Sequence, residues 1–398
     1  MATRDLTDAD VLALRRETPG ADRVLHFNNA GASLLATPVI RAVKDYLDLE
    51  AVAGGYEAQA ARGDAVEHTY AAIAQLIGAA PDEIAVVDSA TRAWDAVFYA
   101  LKFQPGDEIL TSQTEYASNY LAFLQVARRT GAVVRAVASA PDGSVSLPAL
   151  EAALSPRTRL VSLTHVPSNG GLVNPAHAVG ALTRAAGVPF LLDACQSVGQ
   201  LPTSVEELGC DFLSATGRKY LRAPRGTGFL YVRRSQLATL EPYSLDMHAA
   251  TWRTPNTFEI RTDARRFETW EANIGTKIGL GVAVDYALAL GLDAIWRRIT
   301  VLADDLRSRL TKIPGAVVRD LGSVRCGIVS FTLAGLAPET VKAALTRHGI
   351  NVSVTSAEST LLDMRTRGLD QVVRASLHYY NTSDEIDRFV ATLGRLDT

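Results

Sequence analysis

The run Pro189-Phe190-Leu191-Leu192-Asp193 is apolar without polar alternation until it ends on an acid. A strand of that kind offers no face to water, so it belongs inside a sheet covered on both sides. It is one of a series. Strands are predicted over 83–87, 108–111, 133–137, 160–165 and 212–215, with helices over 92–101, 116–129 and 176–186 between them. From about residue 38, strands and helices are therefore expected to alternate, which predicts an α/β chain with a mostly parallel sheet between helices. A further strand is expected at 228–232 and a helix at 277–290. The pattern then changes. Helices at 293–311, 338–347 and 384–393, with strands at 317–319, 328–332, 351–354 and 372–377, predict a smaller α+β unit. At the other end, a short helix over 5–17, capped within Asp5-Leu6-Thr7, leads into an irregular stretch over 26–33. The expected division is an N-terminal segment 1–35, a large domain 36–290 and a small C-terminal domain 291–398.

Composition sets bounds. The 398 residues are 47% apolar and 21% charged, enough for one large or two smaller cores. Basic residues number 40 against 43 acidic ones and do not cluster, which argues against a nucleic-acid or membrane surface. The cysteines, Cys195, Cys210 and Cys326, have no CxxC spacing. That argues against a disulfide framework or a metal site and suits a reducing cytoplasm. Residues 1–10 are polar and acidic, so no secretory signal is expected. The longest apolar stretch, 278–292, contains Asp285 and Tyr286 and is too short and polar for a bilayer.

Chemistry concentrates around Lys219. It lies in Ser214-Ala215-Thr216-Gly217-Arg218-Lys219-Tyr220, just before Pro224-Arg225-Gly226-Thr227-Gly228, and 26 residues after Asp193. An acid ending a buried strand, followed by a lysine on a later loop, is what a pyridoxal phosphate enzyme requires. The amine forms a Schiff base with the cofactor aldehyde. The carboxylate pairs with the pyridinium nitrogen and keeps the ring electron-withdrawing. Either residue alone has a plainer reading, since lysines usually lie in water; the pair at this spacing points to chemistry.

Other residues divide between structural and functional readings. Ser89-Ala90-Thr91 follows a strand and opens a helix, so its free N–H groups make either an ordinary cap or an anion site. Tyr116, at a strand-to-helix turn, is either a packed helix-start residue or a ring stacked on a ligand. Gln196 is either a polar strand end or a contact to a bound group. His165 reads as a structural histidine. Arg374, between Val372, Val373 and Leu377, suits a bidentate grip on a carboxylate, the alternative being a surface ion pair.

Residues 27–382 resemble the class V aminotransferase family of fold-type I pyridoxal phosphate enzymes, within it most of all the cysteine desulfurase, isopenicillin N epimerase and ergothioneine C–S lyase branch. The most specific matches are Arg218-Lys219-Tyr220-Leu221 to Pro224-Arg225-Gly226, and Arg374-Ala375-Ser376 to Tyr379-Tyr380-Asn381-Thr382. The resemblance implies phosphate contacts from Ala90, Thr91, Thr216 and Arg218, with Arg218 standing where many relatives have histidine. It implies stacking by Tyr116, a ring-oxygen contact from Gln196, and another from Ser168. Asn169 is one residue off the matching position, and the sequence leaves both open. It implies a substrate carboxylate on Arg374, with Asn29 and Ala30 near the substrate. It also implies a homodimer whose 268–276 loop, with Glu268, Trp270 and Asn273, crosses to the neighbouring phosphate. There Asn273 or Thr276 replaces the usual threonine.

A desulfurase needs a persulfide-accepting cysteine before the arginine strand, yet residues 351–373 contain none, and Ala357 and Glu358 stand near that point. The expectation is an enzyme acting on an α-amino acid by C–S lysis, the alternatives being transamination or epimerisation. A cofactor-binding regulator of the same fold would carry a DNA-binding domain ahead of it, and only 26 residues precede Phe27.

Overall fold

The computed structural model describes residues 4–396. The first three residues of the N-terminal segment, and with them part of the 1–10 stretch, lie outside the described residues, as do the last two of the C-terminal unit. A seven-stranded sheet runs in the order Ile84–Val87, Gly228–Val232, Phe212–Thr216, Phe190–Asp193, Thr158–Thr164, Glu108–Ser112, Val133–Val137. All its strands run one way except Gly228–Val232, antiparallel to both neighbours.

The strand Phe190–Asp193 is central and fully buried. Its successive side chains point to opposite faces. Leu191 joins Trp94, Phe98, Phe123 and Phe212 in one core. Phe190 and Leu192 join Ile73, Leu213 and Phe229 in the other. Each such side chain contributes about 1.5–3 kcal/mol by leaving water, and a single polar substitution here faces a core whichever way it points.

The alternation begins at Ile84, not near residue 38. Three consecutive helices, Thr37–Ala53, Gly55–Ala61 and Gly63–Ile77, come first. Gly54, at φ 95°, separates the first two, and Gly78, at φ 69°, ends the third. Both values lie where a Cβ is costly. These helices pack on Ile274–Leu290 through Tyr46, Ala58, Val66 and Ile278. That helix starts three residues earlier than expected, because Asn273 caps it.

The smaller unit is a four-stranded antiparallel sheet, in the order Ala316–Val318, Ile328–Leu333, Gln371–Ser376, Ser353–Ser356. Leu302, Leu306, Val329, Phe331, Val373 and Phe389 form its core with the flanking helices. The single strand expected at 351–354 is split. Ile350–Asn351 pairs in parallel with Leu25–His26, and only Ser353–Ser356 enters the sheet. The N-terminal segment thus docks on the smaller unit, with Leu25 and Phe27 in its core. A hairpin of Ala250–Thr254 and Thr257–Ile260, with Trp252 opposite Phe258, had no apolar run to announce it. No single described helix is long and apolar enough to cross a membrane.

Candidate active site

Register brings the candidate residues to one edge. Thr164 pairs with Asp193, and Asp193 with Ser214. Three parallel strands therefore end side by side, and the residues that follow them, among them Ser168, Gln196 and Lys219, gather beyond that edge. In open α/β sheets this is where ligands bind.

The lysine loop is held by its backbone. Gly217 N–H donates to Thr227 O at 3.0 Å, Arg222 N–H to Lys219 O at 3.0 Å, and Ser33 N–H to Arg218 O at 2.9 Å. Arg222 has φ 59°, the only positive value among described non-glycine residues. Its guanidinium donates to Leu34 O at 2.8 Å, Tyr379 Oη at 2.7 Å and Thr18 Oγ1 at 2.6 Å. It also lies over the Tyr380 ring. The two sequence signatures, around 218–226 and 374–382, are thus one contact. Lys219 is enclosed but keeps part of its surface open, and its amine has no hydrogen bond or ion pair among the described residues. Burial pushes that amine below the ordinary lysine range. Arg218 and Arg374 add to this, while Cys195 and Asp193 oppose it.

Asp193 is buried and accepts from Cys195 N–H at 3.0 Å and Asn119 Nδ2 at 3.1 Å. Gln196 donates to Ala30 O at 3.1 Å, and its own buried Oε1 has no partner. Tyr116 is the N-cap of helix Ala117–Thr130, its N–H bound to Glu115 Oε1 at 2.9 Å, with the side chain half-buried.

At the anion turn the cap is Ser89, which accepts from Arg92 N–H at 3.2 Å. Ala90 and Thr91 are thus the first two residues of helix Ala90–Phe98, whose N–H groups have no intrahelical acceptor. Gly228 stands against this turn: a Cβ there would lie 2.7 Å from Ser89 C and 2.8 Å from Ala90 N. Thr216 donates weakly to Thr227 O at 3.4 Å. Arg218 donates to Gly31 O at 2.6 Å and has no carboxylate partner among described residues.

Arg374 is buried on Gln371–Ser376 and reaches across to the larger unit. It donates to Ser353 Oγ at 3.0 Å and Ser168 O at 2.8 Å, again with no carboxylate partner among described residues. A buried guanidinium without a counter-anion is costly, and burial lowers its pKa from the usual arginine value.

Several expected contacts take a different form. Asn29 is wholly buried, donating to Ser376 O at 2.8 Å and accepting from Tyr380 Oη at 2.5 Å. It ties the lead-in to the smaller unit, while Ala30 carries the Gln196 bond. Asn169 faces the smaller unit, donating to Thr360 Oγ1 at 2.8 Å and accepting from Thr355 Oγ1 at 2.5 Å. Ser168 is the one whose backbone meets Arg374. Glu268 is not presented on a surface loop. It is buried and accepts from Val86 N–H at 2.7 Å, Tyr70 Oη at 2.9 Å and Lys277 Nζ at 3.1 Å. Opposite charges drew it inward and so steadied the strand that feeds the anion turn. Asn273 is exposed and caps its helix through Thr276 N–H at 2.9 Å, while Trp270 is 53% exposed. The 355–360 segment lies against Asn169 and carries Ala357 and Glu358.

Sequence reasoning missed Glu115 and Asn119. Their i, i+4 spacing beside Tyr116 was the available signal.

A mostly parallel sheet with a lysine loop at its carboxyl edge, flanked by a smaller antiparallel unit, defines the fold-type I pyridoxal phosphate enzymes. Residues 25–389 match the family described as Aminotransferase class-V, and this chain belongs to it. It is 31% identical over 334 residues to a probable cysteine desulfurase of Xylella fastidiosa, covering 83% of this chain and 80% of the relative. It is 33% identical over 339 residues to a cysteine desulfurase of Pectobacterium atrosepticum, covering 83% and 82%. The apo structure of the cysteine desulfurase from Thermococcus onnurineus superposes with a TM-score of 0.91 at 27% identity, covering 99% and 98%.

The residues present fit pyridoxal phosphate. An unpartnered amine suits its aldehyde, a buried carboxylate its ring nitrogen, and a helix N-terminus against a bare glycine its phosphate. Gly228→Ala is expected to displace the Ser89–Ala90 turn and weaken cofactor binding about tenfold or more, since overpacking costs about 1–3 kcal/mol. Fluorescence titration of the apo protein with pyridoxal phosphate measures this, and an unchanged Kd would refute the role given to the turn.

Proposed function

We propose that this enzyme cleaves a carbon–sulfur bond of an α-amino acid by β-elimination. The observation that carries the reading is the gathering of Asp193 and Lys219 at the carboxyl edge of the larger sheet, towards which Arg374 reaches from the smaller unit. When bound, pyridoxal phosphate supplies an aldehyde that condenses with amines and a ring that withdraws electrons from the substrate's α-carbon. The uncompensated guanidinium of Arg374 takes the substrate carboxylate and orients the α-carbon. Lys219, kept towards its neutral form by burial, accepts the α-proton. Asp193 would hold a proton on the ring nitrogen. Ala90, Thr91, Thr216 and Arg218 would hold the phosphate, Tyr116 would stack on the ring, and Gln196 and Ser168 would contact the ring's oxygen.

Two features support elimination of a sulfur group. Cysteine desulfurases among the relatives break such a bond, and residues 351–373 contain no cysteine to receive the sulfur as an enzyme persulfide. In this reading the sulfur leaves on the product side. The division at residues 35 and 290, a cytoplasmic location and a homodimer belong to the same proposal. The exposed Trp252, Phe258 and Trp270, at 78%, 55% and 53%, support a partner surface on which Asn273 or Thr276 meets the neighbouring phosphate.

A panel of cysteine derivatives and ordinary amino acids tests the reaction. Release of pyruvate, ammonia and a thiol or sulfide is expected. Keto-acid formation without sulfur release, or loss of optical rotation alone, would replace elimination by transamination or epimerisation. Asp193→Asn is expected to lower kcat about 100-fold while leaving cofactor content near one per chain, because an amide fills the space but does not stabilise a protonated nitrogen. Unchanged turnover would remove Asp193 from the mechanism.

A further inference from the structure

Behind Asp193 lies a second acid that the mechanism above does not use. Glu115 is 3% exposed and has no cationic partner among the described residues. Four donors converge on it: Thr111 Oγ1 at 2.6 Å, Thr164 Oγ1 at 2.5 Å, Tyr116 N–H at 2.9 Å and Asn119 Nδ2 at 2.9 Å. An ionised carboxylate is an acceptor only, so every one of these groups is satisfied by the ionised form. Burial, with a smaller push from the Asp193 charge, raises the Glu115 carboxyl above its ordinary value, and the bonds from Thr111, Thr164 and Asn119 oppose that rise. A fold gains little from burying an acid without a cation, since apolar residues of similar volume avoid the desolvation cost. The arrangement calls for another purpose.

Asn119 supplies it. One amide nitrogen carries two N–H bonds, and here it meets two carboxylates, Glu115 Oε1 at 2.9 Å and Asp193 Oδ2 at 3.1 Å. The other Asp193 oxygen is taken by Cys195 N–H at 3.0 Å. The two bonds set the plane of the Asp193 carboxylate and leave each oxygen with acceptor capacity.

We propose that Glu115 and Asn119 are positioning residues for Asp193: Glu115 fixes the amide of Asn119, and that amide fixes the carboxylate that faces the cofactor's ring nitrogen. This rests on the assignment of Asp193 to that nitrogen. The same acid also anchors the Tyr116 N–H, so the residue stacked on the ring and the residue beneath its nitrogen are held from one hub. Thr164, opposite Asp193 in the sheet register, closes the network on the strand side.

The test reconstitutes wild type, Asn119→Ala, Glu115→Gln and Asp193→Asn with pyridoxal phosphate labelled with nitrogen-15 in the ring, and reads the nitrogen chemical shift of each holoenzyme. Wild type is expected at the protonated value. Asn119→Ala and Glu115→Gln are expected to move towards the unprotonated value, with kcat down about tenfold and KM little changed, as losses of outer contacts typically produce. A merely structural role would lower thermal stability and leave the nitrogen shift in place. If Asp193→Asn moves the shift but the other two variants do not, the positioning role is overturned and the Asp193 assignment stands. If Asp193→Asn also leaves it unmoved, the assignment fails and the proposal with it. Glu115→Gln keeps the volume and shape of the side chain, so the same reading is available from it should Asn119→Ala fold poorly.

Discussion

Lys219→Ala is expected to reduce turnover by about a thousandfold or more, because it removes both the covalent anchor and the proton acceptor, and proton transfer by a positioned group alone contributes about 10²–10⁴-fold. The variant should still bind pyridoxal phosphate through the Ser89–Thr91 turn and Arg218, more weakly and without a covalent link. Since the missing group is an amine and the Ala side chain leaves room, a small primary amine added to the solution should restore part of the activity. Borohydride reduction of the wild type followed by peptide mapping should find the pyridoxyl label on Lys219. A label on Lys102 or Lys277 instead would sink the assignment. Lys277 is the informative control, being a buried lysine already committed to Glu268 and Tyr70.

The second large effect is expected from Arg374→Ala. Its guanidinium has two neutral acceptors, Ser353 Oγ and Ser168 O, and no counter-anion among described residues, so the charge is available for a substrate carboxylate. Losing a charge-assisted pair at a buried site costs about 2–5 kcal/mol. The lower figure corresponds to roughly a 30-fold rise in KM for the amino acid. Amines without a carboxylate should be little affected. Wild-type affinity in the variant would mean that the substrate is held elsewhere, and the α-amino acid reading would lose its main support.

How much of this was legible in the sequence depends on which forces are local. The unalternating run before Asp193 demanded a central strand, and the structure has it there. The turn at 89–91 followed from a strand meeting a helix, and Ser89 caps it. Side-chain direction was less accessible. Glu268 sits in a polar loop sequence, and Tyr70 and Val86, 198 and 182 residues earlier, help Lys277 turn it inward. Asn29 read as a turn residue near substrate, but Tyr380 and Ser376, about 350 residues later, enclose it. Glu115 and Asn119 offered no signal beyond their spacing, because the Asp193 that Asn119 bonds lies 74 residues away on a separate strand. Local periodicity announces elements. It does not say which polar side chains meet across them.

The contacts of Arg222 bear on when the site comes into being as the chain folds. A non-glycine residue at φ 59° sits in a conformation that costs about 1–2 kcal/mol. Its guanidinium partners offset that cost, and they lie 204 residues earlier at Thr18, 188 earlier at Leu34 and 157 later at Tyr379. A growing chain that has just emerged past Lys219 already carries Thr18 and Leu34 but lacks Tyr379, so the lysine loop gains its full set of Arg222 contacts only when that residue arrives, and contacts of such long sequence separation form late.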